Sequence, residues 1–404
     1  MFEIIYICMI VTCLLLIIYH HLGYPLVLKW VRRGLPTDDI PVKPRHYSSD
    51  MSDTELPSIT LIIPAYNEQR WIADKLRNCA ALDYPPEKFN VIVAGDGCTD
   101  NTIFIAKKIA QERSCSGLNL EVREFKNNRG KVAVLNDVIN TIDSELVALS
   151  DVSALISLDA LLIAAAQFKA KQLGVLNSHY CLLEHGSVGE ASYWQYQSKI
   201  KLAESSLGST LGAHGAFYLF RRRLFQPLAD DTINDDFILP MQIVANGYTA
   251  KQDNRIVSLE LEQADNSMDW QRRIRIAAGN MQQLLRLKRM LHPHFKGIAF
   301  TFLSGKALRV VMPFLMLIAL IGSLSLSSSL VFFIFSLCQV SLYLLALIQL
   351  VLKTNNKLFN LLAYLVSGHI AGFLGSLSYL LSGHQTPWKP VNSVNKLKEN
   401  HHEH

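Results

Sequence analysis

The stretch Ser58-Ile59-Thr60-Leu61-Ile62-Ile63-Pro64-Ala65-Tyr66-Asn67-Glu68 is an apolar, β-branched run that breaks off in a proline-led polar loop. Such a run fits a strand buried on both faces of a parallel sheet, and open α/β sheets bind ligands beyond the carboxyl ends of their strands. The pattern repeats downstream, where Phe89-Asn90-Val91-Ile92-Val93-Ala94 leads into Gly95-Asp96-Gly97-Cys98-Thr99-Asp100. Residues 70–81, between the two, read as a helix. Strand, polar loop, helix, strand and acidic loop make up half of a nucleotide-binding sheet. The predicted fold class is α/β, with a mostly parallel, Rossmann-like sheet.

The apolar residues around that sheet are unevenly spread. They fill 50% of the 404 positions, and residues 4–22 carry no Asp, Glu, Lys or Arg. That stretch can cross a hydrocarbon core of about 30 Å. Lys29, Arg32 and Arg33 follow it, so the positive-inside rule puts the next domain in the cytoplasm. A cleaved signal peptide is the rival reading, but there is no basic n-region and no small-x-small cleavage site. Residues 310–352 are uncharged and too long for one crossing, and the polar run 323–329 divides them into two. Lys353 and Lys357 then form a basic loop before a last apolar span at 358–381. With four crossings the basic tail (Lys389, Lys396, Lys398) faces outward against the charge rule, unless the last segment is re-entrant. The expected organisation is an anchor at 1–27, a soluble domain at 57–265, interfacial helices at 266–308 and about three membrane helices at 309–384. This describes a multi-pass protein of the plasma (inner) membrane.

Seven cysteines show no C-x-x-C spacing, which argues against a disulfide framework or a zinc site and fits a reducing compartment. The net charge of +5 is mild, but its placement is informative. Arg272, Arg273, Arg275, Arg286, Lys288, Arg289, Lys296, Lys306 and Arg309 cluster before the second span, interleaved with Leu284, Leu285, Leu287, Met290 and Leu291. An interfacial amphipathic helix has this pattern. No nucleic-acid motif accompanies it, so the expected partner is membrane lipid and not nucleic acid.

The soluble domain carries the chemistry. Asp96 lies in a Gly-Asp-Gly turn, where glycines allow close approach of a ligand; it reads either as a solvated turn residue or as a base or ribose contact. Lys131 ends Asn128-Arg129-Gly130-Lys131, between a short strand at 121–125 and a helix at 132–139. An ammonium at a glycine-preceded helix start can meet a diphosphate together with the free N–H groups. A further strand, Leu146-Val147-Ala148-Leu149-Ser150, ends at Asp151. The small-residue segment at 212–222 holds His214 between Gly212 and Gly215, and reads either as a tightly packed strand with an interior histidine or as a substrate contact. In Asn234-Asp235-Asp236, two adjacent carboxylates allow one to act as general base while the other raises its pKa or orients it. An acidic start to the helix at 237–245 is compatible with that role.

Taken in order, these segments resemble the family 2 glycosyltransferases over roughly residues 58–280. The resemblance implies a GT-A sugar-nucleotide domain, an inverting transfer and a UDP-sugar donor. It implies donor contacts by Pro64, Tyr66, Glu68, Asp96, Lys131, Asp151, Arg273 and Arg275. Gly212, His214 and Gly215 fall on the acceptor side, and Asp236 is the general base with Asp235 in support. Mg2+ or Mn2+ would be held by Asp151, with His214 as a second candidate ligand, because hard oxygen donors and phosphates suit these ions.

Three positions depart from the family pattern. Ser153 stands where the second carboxylate of the metal-binding pair is usual. Arg272 replaces a glutamine. Ile276 replaces a tryptophan that contacts the acceptor in polymerising members. The expected activity is addition of one or a few sugars to a membrane-associated glycan or lipid-linked acceptor in cell-surface polysaccharide biosynthesis. A processive synthase and an inactive nucleotide-sugar-binding scaffold are the alternatives. A dinucleotide-dependent oxidoreductase fits poorly, because no G-x-G-x-x-G follows the first strand.

Overall fold

The computed structural model describes residues 2–32, 41–42, 44–45, 51–183, 188–262, 266–352, 354 and 356–382. Arg33, Lys353, Lys389, Lys396 and Lys398, which carry part of the topology expectation, lie outside them.

The described strands are β1 (Ile59–Ala65), β2 (Phe89–Asp96), β3 (Asn119–Phe125), β4 (Leu146–Ser150), β5 (Ala154–Ile156), β6 (Leu173–Leu182), β7 (Phe217–Arg221) and β8 (Thr249–Glu260). They form one sheet in the order β3-β2-β1-β4-β7-β6-β8-β5. Neighbours β3-β2-β1-β4 are all parallel, as are β6 and β8, while β7 runs antiparallel to both β4 and β6. The fold is thus the mostly parallel, Rossmann-like sheet of the GT-A class. The chain leaves β1 for β2 on one side and returns to β4 on the other, which opens a ligand crevice at the carboxyl ends of β1 and β4.

The helices are α1 (Phe2–Ile18), α2 (Tyr24–Arg32), α3 (Ile72–Ala80), α4 (Thr102–Ile109), α5 (Lys131–Asn140), α6 (Ala160–Gln167) and α7 (Val188–Ser205). They continue with α8 (Asp235–Ala245), α9 (Asn266–Arg286), α10 (Gly297–Thr301), α11 (Leu308–Ser325), α12 (Leu330–Leu352) and α13 (Lys357–Ser382). Every residue of β1 is buried. Ile59, Leu61 and Ile63 pack on one face with Ile72 and Leu76, and Ile62 packs on the other with Val134 and Leu135. Burial on both faces is why this strand reads as a continuous apolar run, each large side chain contributing about 1.5–3 kcal/mol.

Only the second half of the 212–222 segment is strand. Pairing of Ser150 with Phe217 starts β7, and residues 212–216 form the loop that enters it. Gly212 has φ +68, and a Cβ there would lie 2.4 Å from the Phe237 ring, so α8 requires a bare backbone at this point.

Among the described residues four helical runs are long and apolar enough to cross a membrane: Ile4–Val31, Gly297–Ser325, Leu330–Leu352 and Lys357–Leu381. Their outward side chains stay exposed, among them Leu330 at 72% and Val351 at 71%, as lipid contact requires. The second run begins at Gly297 and includes Lys306 and Arg309. Each of the first two runs contains a π-helical turn, Tyr19–Gly23 and Phe302–Ala307. These turns meet: Tyr19 Oη lies 2.9 Å from Ser304 Oγ, and His20 Nδ1 lies 3.1 Å from the Ser304 carbonyl. Helix α9 lies against α13, where a Cβ on Gly375 would come within 2.3 Å of the Ile274 carbonyl oxygen. Small residues at such crossings let two backbones approach.

Candidate active site

The crevice is built by loops that bind one another. Asn67 adopts a left-handed φ of 57, and its side-chain oxygen accepts from the Thr99 amide at 2.8 Å. Asp100 accepts from the Thr102 amide at 2.9 Å and the Gln69 amide at 3.1 Å. The loop after β1 is thereby fixed to the loop after β2. Pro64 lies inside β1, opposite Ala94, and is buried. It stands one residue before the end of β1. Tyr66 and Glu68 sit in that loop, each partly exposed.

Asp96 is 1% exposed and its two carboxylate oxygens accept from the Arg129 amide at 2.9 Å and the Gly130 amide at 2.8 Å. It sets the loop that presents Lys131. Gly97 (φ +68) permits this close packing, since a Cβ there would fall 2.4 Å from the Asn128 nitrogen. Gly130, with φ +91, precedes the first residue of α5, so Lys131 occupies a helix N-terminus as its sequence context implies. Its ammonium donates to Asp151 Oδ1 at 3.0 Å and lies 3.6 Å from Asp235 Oδ2. Partial burial disfavours the charged forms of both Lys131 and Asp151, but their mutual attraction wins. Lys131 is held above its usual range and Asp151 below its own.

Antiparallel pairing of β7 with β4 swings Gly215 over Asp151. A Cβ on Gly215 would lie 3.1 Å from Asp151 Oδ2 and 3.7 Å from Asp236 Oδ2, so the two carboxylates converge there. Asp235 and Asp236 form the first turn of α8, where the helix dipole favours negative charge. Burial and the adjacent Asp235 charge raise Asp236 to about 6. Asp235 Oδ2 and the buried Tyr218 hydroxyl make no hydrogen bond among the described residues. Orphan polar atoms in a crevice are places for a ligand or water. His214 stacks on Tyr180 at 3.7 Å, and its Nδ1 accepts from the Ala216 amide at 3.2 Å. Burial and Lys201 lower it to about 3, so it is neutral at physiological pH.

The arginines of α9 divide by helix face. The Arg273 guanidinium lies 4.2 Å from the ring centre of Tyr364 on α13, away from the crevice. Arg272 instead acts through its charge on Asp151 and His214. Arg275 shares that face: burial and Arg272 lower its pKa, while Asp236, Asp235 and Asp151 counteract them. Three residues along a helix put Arg272 and Arg275 together and send Arg273 elsewhere. Ile276 is 38% exposed and its carbonyl accepts from the Asn234 side chain at 3.3 Å, so this position supports the loop before Asp235 through its backbone.

The donor chemistry for a divalent cation is present only in part. Ser153 lies beside Glu260 and its carbonyl accepts from the Leu261 amide at 2.9 Å. Burial, with Glu262, Asp151 and Glu260 nearby, raises Glu68 to about 8, so its carboxyl is held mostly protonated at neutral pH. Among the described residues no three His, Cys, Asp or Glu side chains are arranged to hold a metal. Asp151 fits as one hard ligand, and the remaining positions would fall to donor phosphates and water.

One supporting residue is absent from the sequence reading. Lys75 is fully buried beneath the end of β4, donating to Ser150 Oγ at 2.6 Å and to the Ala154 carbonyl. Ser150 in turn donates to the Ala216 carbonyl at 2.6 Å, so the carboxylate strand and the histidine loop are tied together. The signal for it is a lysine on the apolar stripe Ile72, Leu76, Cys79 of α3.

Residues 60–228 match the family model "Glycosyl transferase family 2". The chain is 27% identical over 245 residues to poly-beta-1,6-N-acetyl-D-glucosamine synthase of Staphylococcus aureus, covering 59% of this chain and 58% of the relative. The corresponding Staphylococcus epidermidis protein is 26% identical over 240 residues, with 57% of each covered. The chain thus spans little more than half the length of these relatives. Among solved structures, the mannosyltransferase PcManGT from Pyrobaculum calidifontis, in complex with GDP-Man and Mn2+, superposes with a TM-score of 0.68 at 23% identity. That likeness covers 90% of this chain and 99% of the other, so the shared fold extends beyond the sheet to the long apolar helices.

Proposed function

We propose that this protein is an inverting glycosyltransferase of the plasma membrane, with its catalytic domain in the cytoplasm. It moves a sugar from a UDP-sugar, in the first instance UDP-N-acetylhexosamine, to a membrane-associated acceptor in cell-surface polysaccharide biosynthesis. The observation that carries this reading is the convergence of Asp236 and Asp151 on Gly215, with Asp236 raised to about 6. A carboxylate with that pKa is ionised at neutral pH and basic enough to take a proton in the transition state.

The acceptor hydroxyl gives its proton to Asp236 as its oxygen bonds to C1 of the donor sugar. The bond from C1 to the diphosphate breaks on the opposite face, which inverts the anomeric centre. Lys131 and the N-terminus of α5 receive the leaving diphosphate, with Arg272 and Arg275 adding positive charge. Asp235 holds Lys131 and raises the basicity of Asp236. A Mg2+ or Mn2+ ion held by Asp151 and the donor phosphates would supply further charge neutralisation. Chelation is then expected to remove turnover and either ion to restore it; full turnover in EDTA would leave that work to Lys131 and the arginines.

The acceptor receives one or a few sugars, given Ile276 where polymerising members carry an aromatic acceptor platform. The name of the staphylococcal relatives supports a processive reading instead. Purified protein offered UDP-, GDP- and dTDP-sugars separates the readings. Nucleotide release with one class supports a transferase, a ladder of products supports processivity, and donor binding without turnover or hydrolysis supports an inactive scaffold.

A further inference from the structure

On the glycosyltransferase reading, the acceptor must bring a hydroxyl to Asp236. What surrounds Asp236 on its membrane side indicates what else that acceptor carries. Lys306 donates to Asn280 Oδ1 at 2.8 Å and lies 3.9 Å from the centre of the Phe237 ring, one residue from Asp236. Lys201 donates to the Ala213 carbonyl at 3.0 Å, and Arg309 reaches Gln197 Oε1 at 3.5 Å. All three cations are partly buried and rest on neutral partners. Among the described residues none of them forms an ion pair within 4.0 Å.

The carboxylates that act on Lys201 and Lys306 are Asp236 and Glu204, and Arg309 acts on Glu204. Glu204 is 4% exposed and is engaged by the Tyr24 hydroxyl at 2.9 Å. Lys306 and Arg309 also belong to an apolar run of membrane-crossing length. Excess positive charge so placed is expensive unless an anion completes it, and ionisable groups in spans mark functional sites. Lys306 stands in the π-helical turn Phe302–Ala307, a device that recurs at functional sites.

We propose that Lys201, Lys306 and Arg309 form a phosphate-binding site for a lipid-linked acceptor, holding its phosphate or diphosphate at the membrane boundary while its sugar hydroxyl reaches Asp236. A phosphate oxygen would need no base, so the juxtaposition of these cations with Asp236 favours a lipid phosphate that already carries a sugar. The hydroxyl proton passes to Asp236, the new glycosidic bond forms at donor C1, and the nucleoside diphosphate departs. The lipid phosphate is bound and unchanged.

The test uses the full-length protein in detergent micelles with its active donor. Two acceptors are compared: a short-chain prenyl diphosphate-linked N-acetylhexosamine, and an alkyl glycoside of the same sugar and chain length without phosphate. The phosphate-bearing acceptor is expected to be preferred in kcat/KM by about a hundredfold. Lys306→Gln or Arg309→Gln should each raise its KM by about tenfold and erode the preference, with Lys306→Arg retaining it. If Lys306→Gln does not fold, Lys201→Gln and Lys306→Arg still decide the matter.

Equal use of the neutral acceptor overturns the proposal. So does equal competition by inorganic diphosphate or phosphatidylglycerol, which would make this a general anion site. Donor turnover indifferent to acceptor phosphate sinks only this site. Absence of donor turnover or hydrolysis under every condition sinks the transferase reading with it.

Discussion

The two sides of Asp236 handle charge in opposite ways. On the donor side Lys131 is matched: Asp151 lies at 3.0 Å and Asp235 at 3.6 Å, within loops fixed by Asp96 and Asn67. On the side of the long apolar helices Lys201, Lys306 and Arg309 have, among the described residues, carbonyl and amide hydrogen-bond partners, with the Phe237 ring beside Lys306. The first arrangement is pre-organised, and an arriving diphosphate would share or displace existing ion pairs. The second is left incomplete, so its stabilisation would come with an anionic ligand. Specificity for the donor can therefore be built into the free protein, whereas the acceptor would complete its own site.

The largest expected effect breaks the point where the two sides meet. Asp236→Asn should lower kcat by about a hundredfold or more while donor affinity, measured by calorimetry, stays near normal. Near-normal turnover would remove Asp236 from the role of base. Lys131→Met strikes the compensated side. It should weaken donor binding by about 2 kcal/mol, roughly thirtyfold, because a charge-assisted contact to the diphosphate is lost. An unchanged donor Kd would show that the ammonium serves only its two aspartates.

A smaller contrast tests the division along α9. Arg272→Ala should reduce kcat by about tenfold. Arg273→Ala should chiefly lower thermal stability, by about 1 kcal/mol, through its lost contact with Tyr364. The reverse ranking would return the donor role to Arg273. The smallest effect is in the pH profile. Asp236 must be ionised to act and is raised to about 6, so kcat/KM should fall tenfold per pH unit below about pH 6 and be level above it. A limb near pH 4 would mean that bound substrate or solvent relieves the repulsion from Asp235.

The parts of the site legible in sequence are those made by short contiguous segments. The end of β4 at Asp151, the glycine-preceded start of α5 at Lys131 and the acidic first turn of α8 each follow from local pattern and capping chemistry. Pro64 was legible as a motif residue, but its pairing with Ala94 inside the sheet was not. Arg272 and Arg273 differ by one position, and pattern alone does not say which faces the crevice. That choice depends on where α13 presents Tyr364 to α9. Lys75 was equally hidden, since its partner Ser150 is 75 residues away.

Sequence by itself determined the α/β class, the order of the half-sheet, the apolar stretches long enough for membrane passage and the aspartates and lysine at the strand and helix ends. Backbone propensity, binary patterning and burial act over neighbouring residues, so their record is local. Tertiary structure alone decided that β7 runs antiparallel beside β4 and carries Gly215 over Asp151. It also decided that the Gly297–Ser325 run brings Lys306 against Phe237 and Arg309 against Gln197. Those placements depend on how distant elements pack, because the energy of an ionised side chain is set by the groups that surround it and not by its neighbours in the chain.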